Sequence, residues 1–204
     1  MNKPMEGQIN VDQAVENAIE LVLQGNQQAY SLIVDAYQQK IFMYCWRLLD
    51  QRQDAEDAVQ DILVKAFQKL DTFQPNTSFS AWLYKIAYHH CLNILRRARF
   101  FQSILPLLSS DNNVYRSTEE EVEKYIFSEP FECALKRLSS LERNLLVLRI
   151  FEEKSYNEIG QIMNKTPESI KKRYNRALQK IKRWIIEREG EQHWNFIEVM
   201  WKRS

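Results

Sequence analysis

A chain of 204 residues has room for two small domains or one larger one. Apolar residues make up 45% of it, an ordinary share, and only four glycines argue against a β-rich or loop-rich fold. The formal net charge of +1 excludes a general polycation, but the charge is segregated: acids dominate residues 111–132 and bases dominate residues 165–183.

The first helix is expected from about Val11, with Val15, Ile19, Val22 and Leu23 on one side and Gly25-Asn26 as its break. A second, over residues 27–49, is expected to bury Ala29, Leu32, Ile33, Ala36, Tyr37, Ile41, Tyr44 and Leu48. Residues 50–53 form a polar turn, and Asp54 stands where it can cap a third helix reaching Leu70. The stripe of that helix, Ala55, Ala58, Val59, Ile62, Leu63, Ala66, Phe67 and Leu70, is the strongest periodicity in the chain. Its other face carries Glu56, Asp57, Gln60 and Asp61 first and Lys65, Gln68 and Lys69 later, an order that suits the helix dipole. Residues 71–77 read as a loop fixed by Pro75, after which Ser78 or Ser80 can cap a fourth helix ending near Arg99. Phe79, Trp82, Leu83, Ile86, Ala87, Ile94 and Leu95 give it an apolar face, and Arg96, Arg97 and Arg99 close it.

Periodicity fades after Phe100, where prolines, serines, asparagines and a glutamate run mark a linker. The expected organisation is therefore all-α: a domain over residues 1–100, a flexible linker over 101–130, and a helix-turn-helix domain over 131–187. A tail over 188–204 carries a short docking helix rich in Trp and Phe. Helices over residues 131–138 and 141–152 lead into the helix-turn-helix. Ile159, Ile162 and Met163 stripe its first short helix, and Gly160 falls where the second must approach closely. Thr166 caps that second helix with Pro167 at its first position, where the missing N–H costs nothing. Ile170, Tyr174, Ala177, Leu178 and Ile181 form its apolar face. The opposite face holds Lys171, Lys172, Arg173, Arg176, Lys180, Lys182 and Arg183 against Glu168 alone, which suits the major groove of DNA.

Cys45, Cys91 and Cys133 are far apart and lack C-x-x-C spacing, so zinc and a disulfide framework are not expected and a reducing cytoplasm is. The start of the chain lacks the apolar core of a signal peptide, and no apolar run is long enough to span a bilayer. His89, His90 and His193 have no nucleophile or metal partner at motif spacing, and no Gly-rich phosphate loop occurs. Neither an enzyme nor a cofactor is expected.

Three strings carry a resemblance. Asp54-Ala-Glu-Asp-Ala-Val-Gln-Asp-Ile-Leu, Phe79-Ser-Ala-Trp-Leu-Tyr-Lys-Ile-Ala and Leu138-Ser-Ser-Leu-Glu-Arg-Asn occur in this order with a linker between the second and third. With them the chain resembles the extracytoplasmic-function class of bacterial sigma factors, over roughly residues 21–99 and 131–183. It departs from the family pattern at Tyr88-His89, often Arg-Asn, and at Asn93, usually Asp. It departs again at Asn164, in place of the turn glycine, and at Lys165, in place of an apolar residue. Asn tolerates the left-handed turn, and Lys165 must point outward.

The resemblance implies a transcription initiation factor that joins core RNA polymerase through Asp54, Asp57, Gln60 and Asp61. It implies capture of an unpaired minus-ten strand by the first domain, with a flipped base held near Asn76. The side chains of the fourth helix suit a single strand. Tyr84, Tyr88 and His89 can stack on or bond to bases, Lys85, Arg96, Arg97 and Arg99 can meet phosphates, and Asn93 lies among them. The minus-thirty-five duplex would be read through Thr166, Glu168, Ser169, Lys171, Lys172, Arg173 and Arg176, with Lys180, Lys182 and Arg183 on phosphates. Core polymerase, promoter DNA and an anti-sigma factor, which in relatives can be membrane-anchored, are the expected partners of a cytoplasmic chain that is monomeric when free. The alternative is a stand-alone helix-turn-helix regulator with a helical dimerisation or sensor domain, which would form a stable dimer.

Overall fold

A computed structural model describes residues 9–74, 77–108, 129–192 and 194–195. Every regular element among them is helical: α1 (Ile9–Leu23), α2 (Tyr30–Leu49), α3 (Arg52–Gln68), α4 (Phe79–Leu108), α5 (Glu129–Lys136), α6 (Ser140–Leu146), α7 (Tyr156–Met163) and α8 (Pro167–Glu189). One-turn 3₁₀ segments precede α2 and follow α3, and a π-helical stretch, Val147–Phe151, continues α6. Contacts divide the chain into two compact units, the first built on α1 to α3, α4 as far as Cys91 and Gln161–Asn164, the second on α4 from Leu92, α5, α6 and α8.

In the first unit α2 and α3 make the most extensive helix pair. Ala55, Ala58 and Ala66 of α3 are fully or almost fully buried, as are Ile33, Ile41, Tyr44 and Leu48 of α2, and small side chains on one helix let a packed pair approach closely. Asp50, at φ 63°, ends α2 in the left-handed region and returns its N–H to the Trp46 carbonyl at 3.1 Å. The chain thereby turns straight into α3. Its expected stripe is buried throughout except for the partly buried Phe67, which packs edge-on to Tyr30.

Several expectations need correction. Asp54 does not cap α3: the helix starts at Arg52 after an extended Gln51, and Asp54 occupies its first turn, where a carboxylate still complements the dipole. Leu32 and Leu23 are about half exposed, because the packed sides of α1 and α2 are narrower than their apolar content. Ser78 caps α4 by accepting from the Ala81 N–H, and α4 runs on past Arg99 to Leu108. The rest of the linker lies outside the described residues. Cys45 and Cys91, distant in sequence, come to 3.6 Å between sulfurs inside the core.

The second unit closes around Phe131, Ala134, Leu135, Leu138, Leu146, Ala177, Ile181 and Ile185. Ser139 opens α6 with a capping box: its hydroxyl accepts from the Glu142 N–H at 3.3 Å and its own N–H donates to the Glu142 carboxylate at 3.1 Å. Trp194, from the expected docking tail, is buried in this same core, and residues 196–204 lie outside the described region. A Cβ on Gly160 would stand 2.7 Å from the carbonyl oxygen of Lys165. That oxygen belongs to the turn between α7 and α8 and cannot swing aside. Gly160→Ala should therefore destabilise the second unit by up to about 2 kcal/mol, an overpacking penalty of about 1–3 kcal/mol less a helix-propensity gain of about 1 kcal/mol. Thermal melting of the full chain reads this directly; an unchanged or raised Tm would contradict the close approach.

Candidate nucleic-acid and polymerase interfaces

The helix-turn-helix is fixed by its termini. Ser155 caps α7 with a second capping box, accepting from the Glu158 N–H at 3.2 Å and donating its own N–H to the Glu158 carboxylate at 2.8 Å. Ile159, Ile162 and Met163 are buried. Asn164 adopts φ 52°, and the Lys165 N–H then reaches the Gly160 carbonyl at 2.9 Å while its side chain points to solvent. Thr166 accepts from the Ser169 N–H at 3.3 Å, and Pro167 takes the first helical position.

Ile170, Ala177, Ile181 and Ile185 anchor α8. Tyr174 is half-buried edge-on to Tyr156, over which Arg149 stacks at 5.2 Å. Burial pushes the Tyr174 phenol up, Tyr156 adds to the rise and Arg149 opposes it, so the Tyr174 phenol stays neutral. The opposite side of α8 is solvent. Thr166, Glu168, Ser169, Lys172, Arg173 and Arg176 line one shallow open depression at its N-terminal end. Lys171 is exposed but outside that lining.

Further along α8 the cations serve the fold as well. Lys180 pairs with Glu142 of α6, and the Lys182 ammonium lies 5.7 Å from the Trp194 ring. Their expected role on phosphates must share with these contacts. Burial raises the Glu142 carboxyl, but hydrogen bonds from Lys180 and Ser139 outweigh that and hold it below the usual carboxylate range. A carboxyl depressed on folding stabilises above its unfolded pKa, and that contribution is lost as pH falls through the folded value. Glu142→Gln should thus melt lower than the parent chain at neutral pH, with the gap closing under acid. A gap independent of pH would assign the pair no electrostatic role.

On α3, Asp54, Asp57, Gln60 and Asp61 are all exposed. Val64, 55% exposed, completes the row Asp57, Gln60, Asp61, Val64 at i, i+3, i+4 and i+7 and places an apolar contact among the carboxylates. Composition alone did not single it out, although an apolar residue at helical spacing within an acidic row was a visible signal. Asp61 lies 3.6 Å from Lys65 and 3.8 Å from His90 of α4, and the Lys65 ammonium donates to His90 Nδ1 at 2.7 Å.

α4 corrects the strand-binding set. Tyr84 is 1% exposed and meets Tyr44 edge-on at 5.3 Å, and Tyr88 is 5% exposed. Tyr84, Ala87, Tyr88 and Cys91 repeat at i, i+3, i+4 and i+7, so this is the core side of the helix. Burial, then Cys91, Cys45 and the neighbouring tyrosines, hold the Tyr44 phenol well above its ordinary range, so Tyr44 stays uncharged. Neither Tyr84 nor Tyr88 can present a ring to a base. His89, Asn93, Arg96 and Arg97 are exposed together on the outer face, and Lys85 is partly buried beside it. Asn76 lies outside the described residues. Phe100 and Phe101, which lie beyond the end expected for α4, are exposed at the far end of that face.

Among the described residues the chain is all-helical and carries a helix-turn-helix with a cationic face and, on α3, a carboxylate-lined face. Comparison with known families makes this specific. Residues 33–101 match Sigma-70 region 2 and residues 134–183 match Sigma-70 region 4. The ECF RNA polymerase sigma factor SigW of Bacillus subtilis is 26% identical over 184 residues, covering 86% of this chain and 98% of that protein. The ECF RNA polymerase sigma-E factor of Escherichia coli is 29% identical over 172 residues, 80% of this chain and 90% of that one. In structure, the sigma factor RpoE of Bartonella quintana, solved with the anti-sigma factor NepR, superposes with a TM-score of 0.63 at 25% identity, covering 76% of this chain and 96% of that one. The chain belongs to the sigma-70 family, in its extracytoplasmic-function class. It acts as an RNA polymerase sigma factor in promoter-specific transcription initiation. Among the described residues no helix is long and apolar enough to cross a membrane.

Proposed function

We propose that residues 1–100 dock this factor on core polymerase through Asp54, Asp57, Gln60 and Asp61, with Val64 as the apolar centre of the contact. His89, Asn93, Arg96 and Arg97 of α4, with the loop that holds Asn76, take the unpaired minus-ten strand. In residues 131–187, Thr166, Glu168, Ser169, Lys172, Arg173 and Arg176 read the minus-thirty-five duplex, and Lys171 meets a flanking phosphate. The observation that carries this reading is the depression lined by those six side chains, at the capped N-terminal end of a helix that leaves a helix-turn-helix. The factor works in the cytoplasm, is monomeric when free, and is held by an anti-sigma factor, as its Bartonella relative is by NepR.

Hydroxyl-radical footprinting of the polymerase-bound chain on a dependent promoter tests the assignment of α8. Protection centred near minus thirty-five, lost on alanine substitution at Arg173 and Arg176, is expected. Protection that survives those substitutions would move duplex reading elsewhere on the chain.

A further inference from the structure

The outer face of α4 continues past its arginines into two exposed aromatic rings. His89, Asn93, Arg96, Arg97 and Phe100 fall at i, i+4, i+7, i+8 and i+11, one continuous row. Phe100 stands one turn beyond Arg96, and Phe101 one turn beyond Arg97. The two rings are 64% and 63% exposed, with centroids 6.3 Å apart and planes 69° to each other. Two adjacent large apolar side chains held in water mark an interaction surface rather than a packing remnant.

The charge around them selects the partner. α4 spans 30 residues without an aspartate or glutamate, while it carries Lys85, Arg96, Arg97 and Arg99. A protein surface that met this face would need its own carboxylates and an apolar pocket. A nucleic-acid strand meets both needs at once, phosphates for the guanidinium groups and base faces for the rings. Paired DNA hides its base faces within the stack, so the rings fit an unpaired strand. The distance also fits: Asn93 and Phe100 are about 10 Å apart along the helix, a step of two to three nucleotides for a partly extended strand. With Tyr84 and Tyr88 in the core, this pair also supplies the exposed aromatic surface that a stacked base needs.

We infer that Phe100 and Phe101 form a stacking platform for single-stranded promoter DNA, extending the minus-ten site beyond Arg96 and Arg97. The inference rests on the assignment of the α4 face to the unpaired strand. Its test uses the full chain assembled with core polymerase and a fork-junction DNA, duplex upstream and single-stranded through the minus-ten segment, with 2-aminopurine at successive unpaired positions. Phe100→Ala/Phe101→Ala should bind the forked DNA about tenfold more weakly and lose the fluorescence change at one or two adjacent positions, the size of one lost base–aromatic stack. Association with core polymerase and affinity for fully paired DNA should be unchanged. Phe100→Tyr/Phe101→Tyr should restore the signal, and Phe100→Leu/Phe101→Leu, apolar but without a π-face, should not. Leucine variants that behave as the parent chain would overturn the stacking role, and loss of polymerase association would make this a protein-docking face instead. Arg96→Ala/Arg97→Ala is the control for the underlying assignment. If it weakens fork binding while the alanine pair at 100 and 101 does not, the strand site stands and the platform falls. If neither weakens it, both fall.

Discussion

Arg173→Ala and Arg176→Ala should each reduce affinity for the cognate minus-thirty-five duplex by about 1–3 kcal/mol, and the two together should silence a dependent promoter. Both side chains line the depression beside the Thr166 cap, within the first three turns of α8, where a recognition helix meets base edges. Neither belongs to the buried row Ile170, Ala177, Ile181 and Ile185, so the helix should keep its melting temperature. The form of the loss separates two roles. An arginine bidentate to guanine loses discrimination at one base pair, whereas a phosphate contact loses affinity for every sequence alike and lowers the salt slope by about one. Binding curves for each variant against single-base-pair substitutions, at two salt concentrations, distinguish them. A variant that binds every sequence as the parent does would remove that arginine from the interface.

The second large effect is expected on α3. Asp57→Ala/Gln60→Ala/Asp61→Ala should abolish co-elution with core polymerase without unfolding the chain. The three side chains point to solvent, and surface substitutions of this kind change stability by less than about 0.5 kcal/mol each. The pair between Asp61 and Lys65 adds little, since an exposed i,i+4 pair contributes about 0.3–0.5 kcal/mol. Their loss at an interface is a different matter, because each guanidinium or ammonium on the partner would then be desolvated without its carboxylate. Size-exclusion chromatography of the mixture reads the outcome: the triple variant should elute free, and co-elution at parental stoichiometry would withdraw the docking face.

How much of this could be seen in the sequence follows from local determinants. The α3 stripe was legible because its apolar positions repeat without interruption and nearly all of them are buried. The helix-turn-helix was legible because its determinants act over a few residues: the Thr166 cap, Pro167, a left-handed Asn164 and the close approach at Gly160. What failed depends on the tertiary neighbourhood. Tyr84 and Tyr88 have amphipathic side chains, and only the position of α2 decides that they pack inward. Leu32 belongs to an apolar run whose outer edge has no helix to cover it among the described residues. Asp54 is an excellent cap by type, yet the backbone enters α3 already at Arg52 because α2 ends in a left-handed Asp50. Cys45 and Cys91 could not be paired by spacing, since contact between them needs the crossing of α2 and α4. Phe100 and Phe101 were hidden by the early end expected for α4, and the extra turns to Leu108 turn them from linker residues into part of a face.

The most direct measurement of sigma activity is run-off transcription by purified core polymerase, with and without this chain, on a library of promoter fragments. Transcripts should appear only when the chain is present, from fragments sharing one minus-thirty-five and minus-ten pair, and should vanish with the α3 triple variant. Duplex binding by the chain without any transcript that depends on it would contradict initiation by this factor and leave a stand-alone regulator.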